Sequence, residues 1–378
     1  MERFNDKKTF AETLISLKVK RIDRYIIGKF LGTFFLFIAL ILTIAVVFDF
    51  AERIDNFMEN DAPAKAIIFD YYFNFIPYFG TLFAPLFAFV SVIFFTSKMA
   101  AHNEIIAILN SGTSFKRMMW PYLISATTIA SIIFVLTNFV IPEANLKRIE
   151  FEAKYYRPSV RRVTVENVHR QVFKNVYVFM SSFNPVSQRG QNFTIEQFDE
   201  DGRLVSKLSS PTVTFDTASN KWSALNYTLR EIKPDEEIIS RGTRIDTTLT
   251  ISPSDFSRSP SFASTMTYRE LADYIDLLRL QGSEELKLFL IERYRRFADP
   301  FAVFILTFIG VSLSSRKIRG GIGMYLGIGL GLSFSYILFL QFTSQFSLKG
   351  NLDPMLAMWI PNVIFVFIAF ILYKLAPK

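Results

Sequence analysis

The amino-acid sequence predicts a membrane α-helical protein with six transmembrane helices, three on each side of an inserted all-β domain. Of its 378 residues 51% are hydrophobic, and these are concentrated in stretches without Asp, Glu, Lys or Arg. Between the third and fourth stretches lies a segment of ordinary soluble composition. The absence of cysteine and the high apolar content exclude a disulfide scaffold, a collagen-like fibre and a disordered chain.

Six uncharged stretches account for the predicted spans. A helix needs about 20 apolar residues to cross about 30 Å of hydrocarbon. The stretches cover residues 30–48, 71–97, 118–142, 300–315, 320–348 and 354–373. The fourth is the shortest and reaches this length only with residues 297–299 as its lead-in. The first is too long for a signal-peptide core and lacks a cleavage pattern, so we expect it to remain as an anchor.

Basic residues are distributed unequally between the two sides of these spans. The N-terminal arm, the loops after spans two and four and the C-terminal tail together hold 16 Lys and Arg, whereas the opposite short loops hold 3. Because basic residues accumulate on cytoplasmic flanks, we expect both termini inside and the β insert outside. The net charge of +8 is explained by this orientation, without nucleic-acid binding.

The span boundaries divide the chain into three predicted parts. Residues 1–142 hold the N-terminal arm and spans one to three. Residues 143–296 hold the β domain and a return helix, and residues 297–378 hold spans four to six.

Short β-rich segments follow one another through the insert, with the alternation or the β-branched and aromatic content of half-buried strands. The predicted strands are 162–166, 172–180, 193–196, 212–216 and 222–232. Turns rich in Asp, Asn and Gly are predicted at 199–202 and 218–220. This pattern is typical of an antiparallel sandwich or an open roll.

A short amphipathic helix is predicted after the strands. Thr267 and Glu270 have the spacing of a capping box. Apolar residues then recur at helical spacing, at Leu271, Tyr274, Ile275 and Leu278. We expect this helix to lead the chain back to the membrane.

The sequence lacks the patterns of a catalytic, nucleotide-binding or metal site. The glycine-rich segment 320–323 lacks the lysine of a phosphate-binding loop, so its glycines are better explained by close helix packing. His102 and His169 fall on opposite predicted sides of the membrane and cannot share a metal. We therefore expect no catalytic residue, no metal and no cofactor in this chain.

The loop after span two carries a predicted helix over residues 99–112. Small and apolar residues form a stripe at helical spacing, at Ala101, Ile105, Ile108 and Gly112. Such a helix is suited to dock in a groove of a cytoplasmic partner. A helix lying on lipid headgroups explains the same periodicity, so both alternatives stay open.

A group of polar residues follows span one, and its best candidates for function are Asp49 and Arg53. Ionisable groups at the edge of a bilayer are costly unless paired or solvated, so they could line a polar path for an amphipathic substrate. An ordinary solvated helix end is the alternative. The charged row 292–296 has the same ambiguity, although basic residues on the outer side favour an anionic headgroup or an acidic partner.

Several motifs, in this order around the predicted spans, resemble the LptF/LptG family of lipopolysaccharide-export permeases. They are residues 22–26, 103–105 with 111–114, 140–145, 270–275, 296–300, 319–321 and 359–362. The opening at 22–26 is more similar to the G-type than to the F-type members. G-type members tend to carry a lysine near the end of span one, where this chain has Asp49, and Arg53 one turn later could substitute for it.

The resemblance implies a permease half of an ABC transporter that extracts lipopolysaccharide from the bacterial inner membrane. It implies a second permease of the same family, a cytoplasmic ATPase dimer that uses the ATP, and a β-jellyroll that passes lipid to a matching periplasmic protein.

The resemblance also implies roles for particular residues. The helix that would dock in the ATPase carries His102, Asn103, Glu104, Ile105, Ile108, Ser111 and Gly112. The candidate lipid path consists of Asp49, Arg53, Phe193 and Ile195. A membrane receptor or scaffold whose β domain binds a protein is the alternative from a different class.

Overall fold

A computed structural model describes residues 20–156, 165–184, 187–216, 221–233, 236–249, 260–283, 285–316 and 321–376. Within these residues, six helices are long and apolar enough to cross a membrane, as predicted. They are α1 (Arg21–Glu59), α2 (Ala64–Ala101), α4 (Phe115–Tyr155), α6 (Leu286–Ser314), α7 (Gly321–Lys349) and α8 (Pro354–Leu375). Two shorter helices lie between them, α3 (Glu104–Asn110) and α5 (Tyr268–Leu280).

Four of the helices extend well past the predicted apolar stretches: α6 begins at Leu286, 14 residues before residue 300, and the other three are longer still. Helix α1 has 39 residues, α2 has 38 and α4 has 41. At 1.5 Å per residue each is close to 60 Å long, about twice the thickness of a hydrocarbon core. Helix α2 has a π-helical segment at Ile67–Tyr72, and α4 has two, at Leu136–Val140 and Glu152–Tyr156. The polar residues that bounded the predicted spans therefore continue as helix.

The chain forms two compact units, and both are discontinuous in sequence. The helical unit consists of Met1–Val47, Phe79–Thr137 and Tyr294–Lys378. The β unit consists of Phe48–Tyr78 and Asn138–Arg293. The β unit thus includes the C-terminal end of α1, the start of α2 and the end of α4 in addition to the strands.

Buried apolar side chains and interhelical hydrogen bonds hold the helical unit together. One apolar cluster includes Phe30 and Tyr122, and a second includes Ala302 and Phe365. Polar side chains also join α6, α7 and α8. The Tyr336 hydroxyl donates to Asn362 Oδ1 at 3.0 Å, and Asn362 Nδ2 donates to the Ala298 carbonyl at 3.2 Å. Inside a bilayer such bonds satisfy polar groups that water cannot reach.

The strands of the β unit form one antiparallel sheet in which each strand pairs with its neighbour in sequence. They are β1 (Val165–Phe173), β2 (Val176–Asn184), β3 (Arg189–Phe198), β4 (Leu204–Asp216), β5 (Lys221–Ile232) and β6 (Glu237–Thr247). The predicted antiparallel β insert is confirmed. One sheet in sequential order corresponds to the open roll rather than to two packed sheets.

A line of irregular positions crosses the sheet. In β4 the buried face passes from Leu208 to Val213, so its alternation changes at Pro211. Asn192 in β3 and Asn226 in β5 lie at the same level, with φ values of 50° and 54°. The pairing register is the same on both sides of this level, so no register shift occurs there. The buried apolar side chains of the sheet form one cluster.

Several of the sequence-based strand predictions are confirmed. Residues 193–196 lie in β3, 212–216 in β4 and 222–232 in β5. The turn at 199–202 is confirmed, with Gly202 at φ 78°. The predicted turn at 218–220 and the first part of the strand 162–166 lie outside the described residues.

Two expectations about the sheet need correction. The strand predicted over 172–180 is wrong, because a turn at Lys174 and Asn175 separates β1 from β2. Asn175 has φ 59°, a conformation that Asn tolerates better than most residues. Strand β6 was not predicted. It lies at the edge of the sheet and carries many charged residues, as edge strands often do.

The return helix is confirmed as α5. The Thr267 hydroxyl accepts a hydrogen bond from the Glu270 backbone N–H, and the Glu270 carboxylate accepts one from the Thr267 backbone N–H. The predicted apolar stripe is buried, at Leu271, Tyr274, Ile275 and Leu278.

Candidate functional site

The predicted docking helix is shorter than expected. Helix α2 continues to Ala101, and His102 and Asn103 form a turn before α3 begins at Glu104. Asn103 adopts a left-handed conformation with φ 62°, which interrupts the helix that was predicted over 99–112. Gly112, with φ 85°, follows the C-terminal end of α3.

Two of the four residues of the predicted apolar stripe face the core of the helical unit, and the other two are exposed. Ile105 is 1% exposed and Ile108 is 8% exposed, and both belong to the apolar cluster that contains Ile26 and Phe115. This corrects the expectation that the stripe itself enters a partner's groove. The stripe instead fixes α3 to its own unit.

The opposite face of the α3 segment is open to a partner. Glu104 is half-buried at the start of the helix. The exposed residues around it are His102, Asn103, Ile106, Asn110, Ser111 and Gly112. Five of the seven predicted docking residues therefore keep an accessible position, whereas Ile105 and Ile108 do not.

Two polar contacts join the start of α1 to the α3 region. We call their four residues, Asp23, Tyr25, Glu104 and Arg117, the N-terminal cluster. The Tyr25 hydroxyl donates to Glu104 Oε2 at 3.0 Å. The Arg117 guanidinium donates to both carboxylate oxygens of Asp23, at 2.9 and 2.6 Å. No pattern in the sequence predicted a role for Asp23, Tyr25 or Arg117, although the first two lie in the motif 22–26.

A second group of charges lies in the β unit at the far end of α1. We call it the rim cluster, and its charged residues are Asp49, Arg53, Arg148 and Glu152. Arg53 pairs with Asp49 at 2.8 Å and with Glu152 at 3.4 Å, and Arg148 pairs with Glu152 at 3.1 Å. Each of these side chains is between 12% and 19% exposed. Two carboxylates and two guanidinium groups thus neutralise one another in a largely buried position.

Two tyrosines complete the rim cluster. The hydroxyls of Tyr71 and Tyr72 donate to the two carboxylate oxygens of Asp49, at 3.3 and 3.2 Å. The Arg53 guanidinium also lies over the Tyr71 ring, 5.3 Å from its centroid. These contacts exclude the alternative of an ordinary solvated helix end at Asp49 and Arg53. A lipid phosphate would reach Arg53 in competition with two carboxylates.

The charged row 292–296 is also partly internal. Glu292 is 9% exposed and Arg296 is 1% exposed. The row is therefore not a simple solvated patch of basic residues.

Phe193 and Ile195, the candidate lipid-path residues of the β domain, lie on the inward face of β3. Phe193 is fully buried, and Ile195 is half-buried against the same apolar core. Their backbone partners on β4 are Ser210 and Leu208. Thr194, between them, belongs to the opposite face, where it lines a polar cleft of about 660 Å³ with His169 and other residues.

The architecture places the chain in a definite class. Six apolar helices in two groups of three, with a β insert between the groups, define a multi-pass membrane protein that exposes a soluble domain. Residues 24–375 match the family described as lipopolysaccharide export system permease LptF/LptG. The chain belongs to the LptF/LptG family, whose members are permease components of lipopolysaccharide export. No curated protein matches the chain.

The family match confirms the resemblance drawn from the motifs. It covers nearly the whole chain and includes Tyr25, Glu104 and Arg117 of the N-terminal cluster, the rim cluster and the six described strands. It favours a transport component of the inner membrane over the receptor or scaffold alternative.

Proposed function

We propose that this chain is one permease half of an ABC transporter that extracts lipopolysaccharide from the outer leaflet of the inner membrane. In this proposal the lipid passes along the apolar inward face of the β unit toward the outer membrane. The observation that carries the proposal is the family match over residues 24–375. Helix α3 is short, is anchored to its own unit and carries an accessible carboxylate. These features support the proposal that a separate protein docks here and drives transport.

We propose a cytoplasmic ATPase dimer as that motor, so the chain itself requires no cofactor and ATP is used by the partner. The distribution of basic residues supports cytoplasmic termini and a position of the α3 region on the same side. The ATPase would contact Glu104 and the exposed residues around it. A carboxylate at the centre of this surface favours a cationic pocket in the partner.

The remaining proposed partners are a second LptF/LptG-type permease and a periplasmic jellyroll protein that receives the lipid. The large exposed apolar surface of two of the helices supports the proposal of a second permease. Only 17% of the most apolar window of α1 and 22% of that of α7 is buried, compared with 67% for α6. These two helices therefore have large apolar faces for lipid or for another membrane protein.

The proposed lipid path begins at the rim cluster and continues along Phe193 and Ile195. Asp49 and Arg53 already form ion pairs within the rim cluster. In this proposal they form the polar edge of the path. Phe193 and Ile195 would contact acyl chains, because both lie on the apolar face of the sheet.

The docking assignment is tested with Glu104→Arg, which places a wrong charge in the α3 surface. We expect loss of the ATPase from the purified complex while the chain stays folded. The control is Glu143→Arg, which makes the same charge change at an exposed glutamate in the β unit. Wild-type ATPase binding and lipid export in Glu104→Arg would refute the assignment.

The lipid path is tested with a photo-crosslinking amino acid at position 195, and at 193 as a second site. We expect capture of lipopolysaccharide at these positions only when ATP is supplied. Position 194 is the matched control, because its side chain faces away from the core. Equal labelling at 194 and 195, or labelling without ATP, would contradict ATP-driven passage along the inward face.

A further inference from the structure

The carboxylate of Glu104 is held by a residue that is distant in sequence. The Tyr25 hydroxyl donates to it from the beginning of α1. The Tyr25 ring is itself held in place, since it meets the Phe95 ring edge-on at 6.3 Å and the Lys29 ammonium lies 5.9 Å from its centroid. A fixed ring carries its hydroxyl at a fixed point, so Tyr25 limits the orientations available to the carboxylate.

The other flank of the α3 segment is also attached to α1. Arg117 lies in the first turn of α4, just after α3, and forms its two-bond contact with Asp23. Asp23 is 1% exposed and also accepts a hydrogen bond from the Lys20 backbone N–H at 2.7 Å. Bidentate arginine–carboxylate pairs fix geometry as well as charge. The α3 segment is thus tied to the first turns of α1 on both sides.

Apolar packing completes the connection. Ile105 and Ile108 on α3 share one buried cluster with Ile26 and Phe30 on α1. Close-packed cores transmit displacement because they have little free volume. A movement imposed on α3 must therefore move the beginning of α1 as well.

We propose that Tyr25 is a positioning residue for docking. Its hydroxyl presents the Glu104 carboxylate to the ATPase, and the Asp23–Arg117 pair ties α1 to the start of α4, so that α1 moves together with the α3 region. This inference rests on the proposed function. It adds that α1 receives the motion of the motor, and that a single hydroxyl on α1 sets how efficiently ATP hydrolysis is used.

The test compares Tyr25→Phe with wild type in the full complex of both permeases and the ATPase, reconstituted in liposomes that contain lipopolysaccharide. We measure ATP hydrolysis and the lipid delivered to the periplasmic acceptor protein. We expect the ATPase to stay bound and the lipid delivered per ATP to fall about fivefold, the factor that one hydrogen bond of ordinary strength represents. The melting temperature should not change, because the ring contacts are kept.

Two further variants separate positioning from a general structural effect. Tyr373→Phe removes a hydroxyl from another ring of the helical unit, one that packs on Phe115, and it should leave the lipid-to-ATP ratio unchanged. Glu104→Gln should lower the ratio, and adding Tyr25→Phe to it should have no further effect, because the hydroxyl acts through the carboxylate.

Each result decides the matter. The positioning role is overturned if Tyr25→Phe leaves the lipid delivered per ATP unchanged. It is also overturned if Tyr25→Phe lowers that ratio equally in the wild-type and Glu104→Gln backgrounds. Either result leaves the proposed function intact. A wild-type chain that binds no ATPase overturns the proposed function and this inference with it. The positioning role is supported if Tyr25→Phe lowers the lipid delivered per ATP only when residue 104 is glutamate.

Discussion

The two polar clusters at the ends of α1 differ in burial and in connectivity. The rim cluster joins four charges and two tyrosine hydroxyls, and none of its charged side chains is more than 19% exposed. The N-terminal cluster consists of two separate contacts, and one of them involves Tyr25, which is 41% exposed. A buried network is rigid because the loss of any member leaves a charge uncompensated. A partly exposed contact is worth less and can be exchanged.

This difference matches the roles that we propose for the two ends. Glu104 must present its carboxylate to a partner while Tyr25 holds it, which a partly exposed contact permits. Asp49 and Arg53 are instead fixed inside the β unit. Between the clusters α1 is apolar and largely exposed, for example at Leu36, Val47 and Phe48. Its middle therefore depends on lipid or on another protein for contacts, whereas its ends depend on polar bonds.

The largest expected effect is that of Glu152→Ala in the rim cluster. Both Arg53 and Arg148 lose a carboxylate in a largely buried site, so we expect a loss of about 3 kcal/mol of stability. Thermal unfolding of the purified chain in detergent measures it. Glu143→Ala, which removes an exposed glutamate paired only with Lys147, should leave the melting temperature unchanged. Equal shifts for the two variants would show that the rim cluster is not a rigid joint.

A smaller effect is expected when Arg117→Ala breaks the buried pair of the N-terminal cluster. Asp23 loses its contact with the Arg117 guanidinium, and we expect the free energy of unfolding to fall by about 2 kcal/mol. Arg117→Lys keeps the charge but not the two-bond geometry, so its stability loss should be about half that of Arg117→Ala. The same unfolding measurement applies. If Arg117→Ala is as costly as Glu152→Ala, the two clusters are equally rigid and the contrast between them fails.

The smallest effect is expected at a surface pair, Arg244 and Asp246 on β6. Hydrogen bonds from Arg244 and from the Ser223 hydroxyl lower the pKa of Asp246. A lowered pKa stabilises the fold above the unfolded-state pKa of about 3.9, and this contribution disappears as the pH falls through the folded-state value. Asp246→Asn should therefore melt slightly below wild type at pH 7, with a difference that vanishes at low pH. A difference that grows on acidification would contradict the assignment.

Local signals in the sequence predicted much of the fold. The six spans follow from apolar stretches, and the start of α5 follows from the spacing of Thr267 and Glu270. Each of these is decided within a few residues, because hydropathy, capping and strand alternation act at short range.

The candidate site was predicted less completely. The stripe of α3 was recognised from its spacing, but periodicity does not say whether a stripe meets a partner or the chain's own core. The i, i+4 spacing of Asp49 and Arg53 could have indicated an ion pair. No local signal connects Tyr25 with Glu104, because the contact joins residues 79 positions apart.

The sequence by itself determined the number of spans, the β character of the insert, the capping of the return helix and the family. Only the tertiary structure decided that Ile105 and Ile108 face inward, that Arg53 is shared by Asp49 and Glu152, and that the buried face of β4 changes at Pro211. The physical reason is the distance along the sequence over which each interaction acts. Apolar content and backbone preference are properties of short segments, whereas the partner of a charge depends on which helices pack together, and Arg53 and Glu152 are 99 residues apart.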